Sequence, residues 1–327
     1  MRICFGRGFA RRLLASCLLI GGLVATPLNA ARADDPVVPG TGTKIDQVGD
    51  DFEDEDWSYI FNGEKSSEEI DGNTRAPAGR STNGRWYEGI KRGHPDVIRR
   101  VPTPEGGLPG SEGALLLQSL RTGIPGRISR ELQQDDFVCN VHYRLKGMVP
   151  VWQSPSAVVR VFLPPVDEWE NRTGPHFAFR VALETTVTKP RTGFLAVGST
   201  TEKETYWPGM FIEFTSADGG RNPNDYAAIR VRANRRGGDY ISKQIEVTGW
   251  WTLGISVTPD GQVHYYARPG IEDLRPEDRI ASEFPYGYRA ENLKTFFFNV
   301  CNGDDGRTWS SEWIIDDPSL YFIEGRR

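Results

Sequence analysis

The chain is built from short runs in which apolar or aromatic residues alternate with polar ones, cut apart by glycine, proline, asparagine and aspartate. In an extended backbone, side chains two apart share a face, so each run has one apolar edge and one polar edge. The pattern predicts strands over Ala114–Leu120, Phe137–Lys146, Ala157–Leu163, His176–Glu184, Met210–Thr215, Tyr226–Ala233, Trp250–Thr258, Gln262–Arg268, Lys294–Cys301 and Glu312–Phe322. Pro259-Asp260-Gly261 separates two of them as a hairpin turn, the glycine supplying the positive φ. Helix signals are confined to a short turn within Leu274–Phe284. Strands of this number and kind are expected to close as an all-β, two-sheet antiparallel sandwich. Two connections, Ile70–Gly113 and Thr185–Gly209, are long for a compact domain. Such segments carry function or disorder, and these two are candidates to wall a groove at a sheet edge.

Residues 1–33 read as a secretory signal. Arg2, Arg7, Arg11 and Arg12 precede an apolar stretch, and Ala31-Arg32-Ala33 offers a cleavage site before Asp34. The apolar core is short for a membrane span, so none is expected after signal removal. Leu14-Ala15-Ser16-Cys17 resembles a lipobox, but its cysteine precedes most of the apolar core, and Arg11-Arg12 lacks the rest of a twin-arginine motif. The expected location is secreted, periplasmic or cell-surface. Residues 34–49, rich in Pro, Gly, Thr and Asp, are expected to be a disordered linker, and residues 51–327 one domain.

Removing the five signal arginines from 39 basic residues leaves 34 against 44 acids, a formal charge of −10. Nucleic acid is a poor partner for such a chain, because nonspecific affinity comes from neutralising phosphates. Cys139 and Cys301 remain after Cys4 and Cys17 leave. They are either bridged to each other or two buried thiols; their spacing fits neither a metal site nor a redox pair.

The polar edges carry an unusual set. Three runs place histidine in alternation with apolar residues ahead of arginine: Val141-His142-Tyr143-Arg144, His176-Phe177-Ala178-Phe179-Arg180 and Val263-His264-Tyr265-Tyr266-Ala267-Arg268. Ala227-Ala228-Ile229-Arg230-Val231-Arg232 repeats the pattern without histidine, and Glu184 lies on the edge of Arg180. If these strands share a face, Arg144, Arg180, Arg230, Arg232 and Arg268 offer guanidinium forks to carboxylate or sulfate groups, and Trp207 or Tyr266 a ring for a sugar to stack on. If they do not, the edges are ordinary solvent-facing chemistry. An Asn171-Arg172-Thr173 sequon is present. No Ser-His-Asp order, phosphate loop or zinc-protease motif is visible.

The run from Trp250-Trp251-Thr252 through Pro259-Asp260-Gly261 to His264-Tyr265-Tyr266 resembles a hairpin of concanavalin A-like lectin/glucanase jelly rolls. The ending Trp313-Ile314-Ile315-Asp316-Asp317-Pro318-Ser319-Leu320-Tyr321 is similar to their last strand, and Asp51-Phe52 with Trp57 looks like the opening that pairs near it. The resemblance covers residues 51–324 and implies a jelly roll with long loops. It implies carbohydrate activity without choosing among lectin, binding module, hydrolase and lyase. The E-x-D-x-x-E motif of one hydrolase branch is absent, and Glu131-Leu132-Gln133-Gln134-Asp135-Asp136 has the wrong spacing for a retaining pair. By analogy with sandwich lyases, His142, His176 or His264 is the candidate base, Tyr266 the acid, and Arg180 or Arg230 the carboxylate partner. The lyase motifs R-x-E-x-R and Q-I-H are absent too. No cofactor is expected beyond a structural calcium ion, for which Asp51, Asp316 and Asp317 are the candidates.

The reading that results is a secreted carbohydrate-binding sandwich for an acidic polysaccharide. The alternative is a polysaccharide lyase, favoured over a glycoside hydrolase, acting through the Arg/His/Tyr face. A second alternative is a cell-surface domain that binds another protein through an apolar patch.

Overall fold

The computed structural model describes residues 35–190, 198–217, 223–232 and 234–324; the expected signal, Ala233 and residues 325–327 lie outside it. Alternation becomes strands β1 (Thr43–Lys44), β2 (Tyr59–Ile60), β3 (Arg80–Ser81), β4 (Trp86–Glu88), β5 (Val97–Pro102), β6 (Gly113–Gln118), β7 (Gln133–Cys139), β8 (Val149–Pro150), β9 (Ser156–Leu163) and β10 (Gly174–Pro190). The chain continues through β11 (Ser199–Tyr206), β12 (Gly209–Thr215), β13 (Tyr226–Arg232), β14 (Asp239–Ile245), β15 (Gly249–Val257), β16 (Val263–Pro269), β17 (Arg279–Glu283), β18 (Asn292–Asn302) and β19 (Trp313–Phe322). One sheet runs β17-β16-β15-β9-β19-β6-β5, with β1 also on β19. The other runs β14-β13-β12-β10-β18-β7-β4-β3-β2, with β11 on β10 and β8 on β18. The two stack as the expected antiparallel jelly-roll sandwich.

The core lies between the sheets, where alternate residues from both meet. Phe177, Phe179, Val181 and Leu183 of β10 face it, as do Phe296, Phe298 and Val300 of β18. Val159, Val161, Leu253, Ile255, Trp313 and Ile315 close it from the first sheet. Phe298 stacks on Phe179 at 5.5 Å and on Phe177 at 5.8 Å, and Phe177 meets Trp313 at 5.1 Å. Each such ring contributes about 1.5–3 kcal/mol by leaving water. The intervening residues of β10 and β18, among them Arg180, Ala182, Phe297 and Asn299, point to the outer face of the second sheet. That face supports the site described below.

Several expectations are corrected. The segment read as a linker is bound along β19: Thr43 pairs with Phe322, Lys44 with Tyr321, and Ile45 N donates to Leu320 O at 2.8 Å. Val37, Ile45 and Val48 are buried there, which outweighs the Pro/Gly-rich composition. The final strand therefore pairs with Thr43–Lys44, while Phe52 and Trp57 pack into the core at 5.5 Å from each other. The predicted strand through Lys146 stops at Cys139, and Val141–Leu145 form a helical turn. Val141 and Leu145, four apart, both reach the core, a spacing that fits a helix as well as alternation fits a strand. Lys146, with φ of 53°, ends the turn ahead of Gly147. The predicted turn within Leu274–Phe284 is a single 3-10 turn at Pro276–Asp278 followed by β17.

Cys139 and Cys301 are both buried and free. Register puts Cys301 opposite Gln134, five residues along β7 from Cys139. At about 3.4 Å per residue the separation is about 17 Å, well beyond a disulfide's reach.

Candidate binding cleft

The Arg/His/Tyr edges do not meet. Tyr266, His264 and Arg268 lie on β16 in the first sheet, while Arg180, Glu184, Arg230 and Arg232 lie on β10 and β13 in the second. His264 is buried, its Nδ1 2.8 Å from Ser282 Oγ and its Nε2 2.9 Å from Thr258 Oγ1. Burial holds it neutral by lowering its pKa to about 4. His176 is equally enclosed. A register shift between Pro175 and Phe177 turns it between the rings of Trp169 and Phe214. Its Nε2 is 2.8 Å from Arg172 O, a carbonyl that can only accept, so Nε2 carries the proton. Burial again lowers its pKa to about 4. Tyr266 packs against Val158 and Leu274 with 1% of its surface exposed. None of these three reaches a ligand.

Most of the predicted arginines are also committed to the fold. Arg144 donates to Gln47 O and Asn83 O. Arg230 is forked onto Glu213, and Arg268 reaches Asp273 O at 3.0 Å. Arg232 is forked onto Asp239 and lies over the Phe211 ring at 5.2 Å. Arg180 is buried between Phe211 and Phe297, donating to Trp207 O at 2.7 Å and to Asn299 Oδ1 at 3.2 Å. The calcium candidates are engaged within the fold as well. Asp316 accepts from Ser111 Oγ at 3.0 Å, Asp317 pairs with Lys44 and Arg160, and Asp51 caps its own loop through Glu53 N. Among the described residues, no group of three or more His, Cys, Asp or Glu is placed to hold a metal.

What the outer face of the second sheet does hold is a cleft of about 760 Å³. Its floor is Val138 of β7, Ala182 of β10, and Thr295 and Phe297 of β18. The two long connections singled out in the sequence wall it. From Ile70–Gly113 come Tyr87, Gly89, Ile90 and Lys91; from Thr185–Gly209 come Glu202, Lys203, Glu204, Thr205 and Trp207. The described parts of the second connection, residues 185–190 and 198–209, are largely strand. Thr186, Val187 and Thr188 prolong β10, and β11 returns beside it with Thr186 opposite Lys203 and Glu184 opposite Thr205. Alternation along β11 gives Lys203, Thr205 and Trp207 one face, that of Glu184, and turns Glu202 and Glu204 to the other, where Lys189 pairs with both.

Trp207 is held from both ends. Arg180 fixes its carbonyl, and its ring packs with Tyr87 against Val138, Ala182 and Phe297. Lys91 Nζ lies over that ring, 4.1 Å from its centroid. Lys294 Nζ donates to Thr205 Oγ1 at 3.0 Å, and Lys203 pairs with Glu184 and Glu291. His142 and Tyr143 stand at one end, Tyr143 with 76% of its surface exposed. Of the residues predicted to form a site, Trp207 and His142 are the two that line this cleft.

Asp136 of β7 is a carboxyl of the sheet face that lines the cleft. Its Oδ1 accepts from Asn299 Nδ2 at 2.6 Å and Gln134 Nε2 at 3.1 Å, and no bond to Oδ2 is made among the described residues. Asn299 thus links Arg180 to Asp136, its carbonyl oxygen taking the guanidinium and its amide serving the carboxyl. Desolvation raises Asp136 to about 7 despite the attraction of Arg180. In the sequence Asp136 stands in an acidic cluster, Glu131 to Asp136, whose spacing speaks only against a glycosidase pair. The signal available was the alternation Gln134-Asp136-Val138 on one edge of β7. Lys203-Thr205-Trp207 gave the same kind of signal inside a stretch read as loop.

No protein-family model matches the chain, and no curated protein matches its sequence. Among solved structures, a functionally unknown protein from Saccharomyces cerevisiae is similar at a TM-score of 0.39 and 10% identity, over 73% of this chain and 96% of that one. An endo-β-1,4-glucuronan lyase from the fungus Trichoderma reesei is similar at a TM-score of 0.32 and 13% identity, over 70% of this chain and 93% of that one. An alginate lyase from Pseudomonas aeruginosa is similar at a TM-score of 0.32 and 9% identity, over 69% of this chain and 83% of that one. Function is read below from the cleft itself.

Proposed function

We propose that the protein binds an acidic polysaccharide in the cleft on the outer face of the second sheet, without cleaving it. One observation carries the reading: the Trp207 ring has the Lys91 ammonium 4.1 Å from its centroid, in a cleft also lined by Lys203 and Lys294. A tryptophan face takes the apolar face of a pyranose, which here displaces the Lys91 ammonium from over the ring. Ammonium groups beside it take the carboxylate or sulfate that an acidic sugar carries. The half-buried Tyr87 extends the apolar surface, so a chain of sugars has a second ring to lie against. An exported location, as expected from residues 1–33, would bring the cleft to extracellular glycans.

A second reading is β-elimination on a uronate, and Asp136 is the observation that favours it. A carboxyl near neutrality in its proton affinity, with one oxygen uncommitted, suits proton transfer. It replaces the histidines, which are buried or, for His142, at the rim.

Affinity electrophoresis of the full chain through gels containing alginate, polygalacturonate, chondroitin sulfate or neutral laminarin tests the proposal. Retardation by an acidic gel, absent from laminarin and lost in Trp207→Ala, is the expected result. Equal retardation of wild type and Trp207→Ala would overturn it. New ultraviolet absorbance from unsaturated uronate, lost in Asp136→Asn, would move the protein to the lyase reading.

A further inference from the structure

Tyr286 sits where a bulky residue is disfavoured. Its backbone is left-handed, with φ of 60° and ψ of 11°, a conformation that costs a tyrosine and that glycine would adopt freely. The surroundings over-determine it. Its amide donates to Asn234 O at 3.1 Å, and the adjoining turn is wound by Asn234, which accepts from Gly237 N at 2.9 Å. The ring lies flat against Gly237, where an added Cβ would come within 2.7 Å of two ring carbons. Tyr288 flanks the ring at 6.0 Å, yet 38% of Tyr286 stays exposed. A strained backbone held by two interlocking turns, presenting a half-open ring, is the kind of feature that function maintains.

The phenol has a defined outlook. It bears electrostatically on both Arg232 and Arg180, two of the guanidinium groups of the outer face of the second sheet. Those arginines alternate with rings: Phe297, Arg180, Phe211, Arg232. Although Arg232 is forked onto Asp239 through Nε and Nη2, about a third of its side chain, 35%, stays in solvent, and Arg235, over the Phe284 ring at 5.8 Å, is exposed. The cleft floor is on β18 and β10, and Arg232 is on β13, so the sheet order separates them by three strand positions from β18. At about 4.8 Å per strand the distance is about 14 Å, several sugar units of an extended chain.

We propose that Tyr286, with Arg232 and Arg235, forms a second contact for the same polysaccharide, taking an acidic sugar several units along from the one at Trp207. The phenol and the guanidinium groups bind the carboxylate or sulfate, and the ring carries the sugar face. This inference rests on the polysaccharide-binding reading of the cleft and adds a length requirement to it.

The test is calorimetric titration of the full chain with dimers and hexamers prepared from whichever acidic polysaccharide retards it in the gels. Wild type should bind the hexamer more tightly than the dimer. Tyr286→Phe keeps the ring and removes the hydroxyl; Tyr286→Gly removes the ring and relieves the backbone, so it folds at least as readily. Both should weaken the hexamer, Tyr286→Gly about tenfold, the loss of roughly one charge-assisted contact. Neither should change dimer binding, whereas Trp207→Ala should weaken both ligands. Equal wild-type affinity for dimer and hexamer, or an unchanged hexamer affinity in both Tyr286 variants, overturns the second contact and leaves the cleft standing. Failure of wild type to bind any acidic oligomer removes the cleft reading and this inference with it.

Discussion

At the scale of single residues, burial decides which polar groups are available. The sequence offers three histidines in strand-like company, and two of them are neutral struts with both ring nitrogens engaged. Their pKa values are lowered to about 4, so their contribution to stability is present above the ordinary histidine value of about 6.5 and is lost as pH falls through about 4. The unfolding free energy of wild type should therefore fall more steeply between about pH 7 and about pH 4 than that of His264→Gln, by on the order of 3 kcal/mol. Parallel profiles would contradict it. Asp136 has the opposite sign. Raised to about 7 by desolvation, it is uncharged in acid and becomes an anion on the sheet face as pH rises through that value. Arg180 and Arg92 oppose the rise and Glu69 adds to it. Binding of an anionic glycan should be several-fold tighter at about pH 5.5 than at about pH 8.5, and Asp136→Asn should flatten that dependence in a calorimetric titration. A dependence that survives in the asparagine variant would assign it to another group.

At the scale of elements, the β10–β11 hairpin is the part that makes a site out of a sandwich. Its threonines favour strand, and the Lys189 ion pairs with Glu202 and Glu204 hold the two arms together at the surface, where such pairs are individually weak. Its cleft-facing set, Lys203, Thr205 and Trp207, follows from period-two alternation once the segment is known to be a strand. That much is legible in the alternation, but the length of Thr185–Gly209 and its Pro208-Gly209 end favour a loop. The helical turn at Val141–Leu145 shows the opposite error: five residues satisfy both periods, and only the core contact of Leu145 chooses between them. Replacing residues 187–202 by a short glycine-containing turn should leave the thermal midpoint within a few degrees and abolish retardation by acidic polysaccharide. A large loss of stability would mean that the hairpin belongs to the fold itself.

At the scale of the whole molecule, the sandwich was legible because its core is set by alternation alone. Strands β6, β9, β10, β12, β13, β15, β16, β18 and β19 all overlap their predicted positions. Which strands neighbour each other was not legible, and this separated Tyr266 and His264 from Arg180 and Arg232. Sheet order depends on contacts between residues far apart in sequence, such as β9 with β19 and β10 with β18. Truncating the central stack should be costly: Phe298→Ala is expected to lower the unfolding free energy by about 3–5 kcal/mol in a denaturant titration. The central claim is that ligand is held at the Trp207 cleft of the second sheet and not along the Arg/His/Tyr edge of the first. Calorimetric titration of an acidic oligosaccharide into Trp207→Ala and Arg268→Ala tests it most directly. The account predicts wild-type affinity for Arg268→Ala and at least a tenfold loss for Trp207→Ala; the reverse pattern would contradict it.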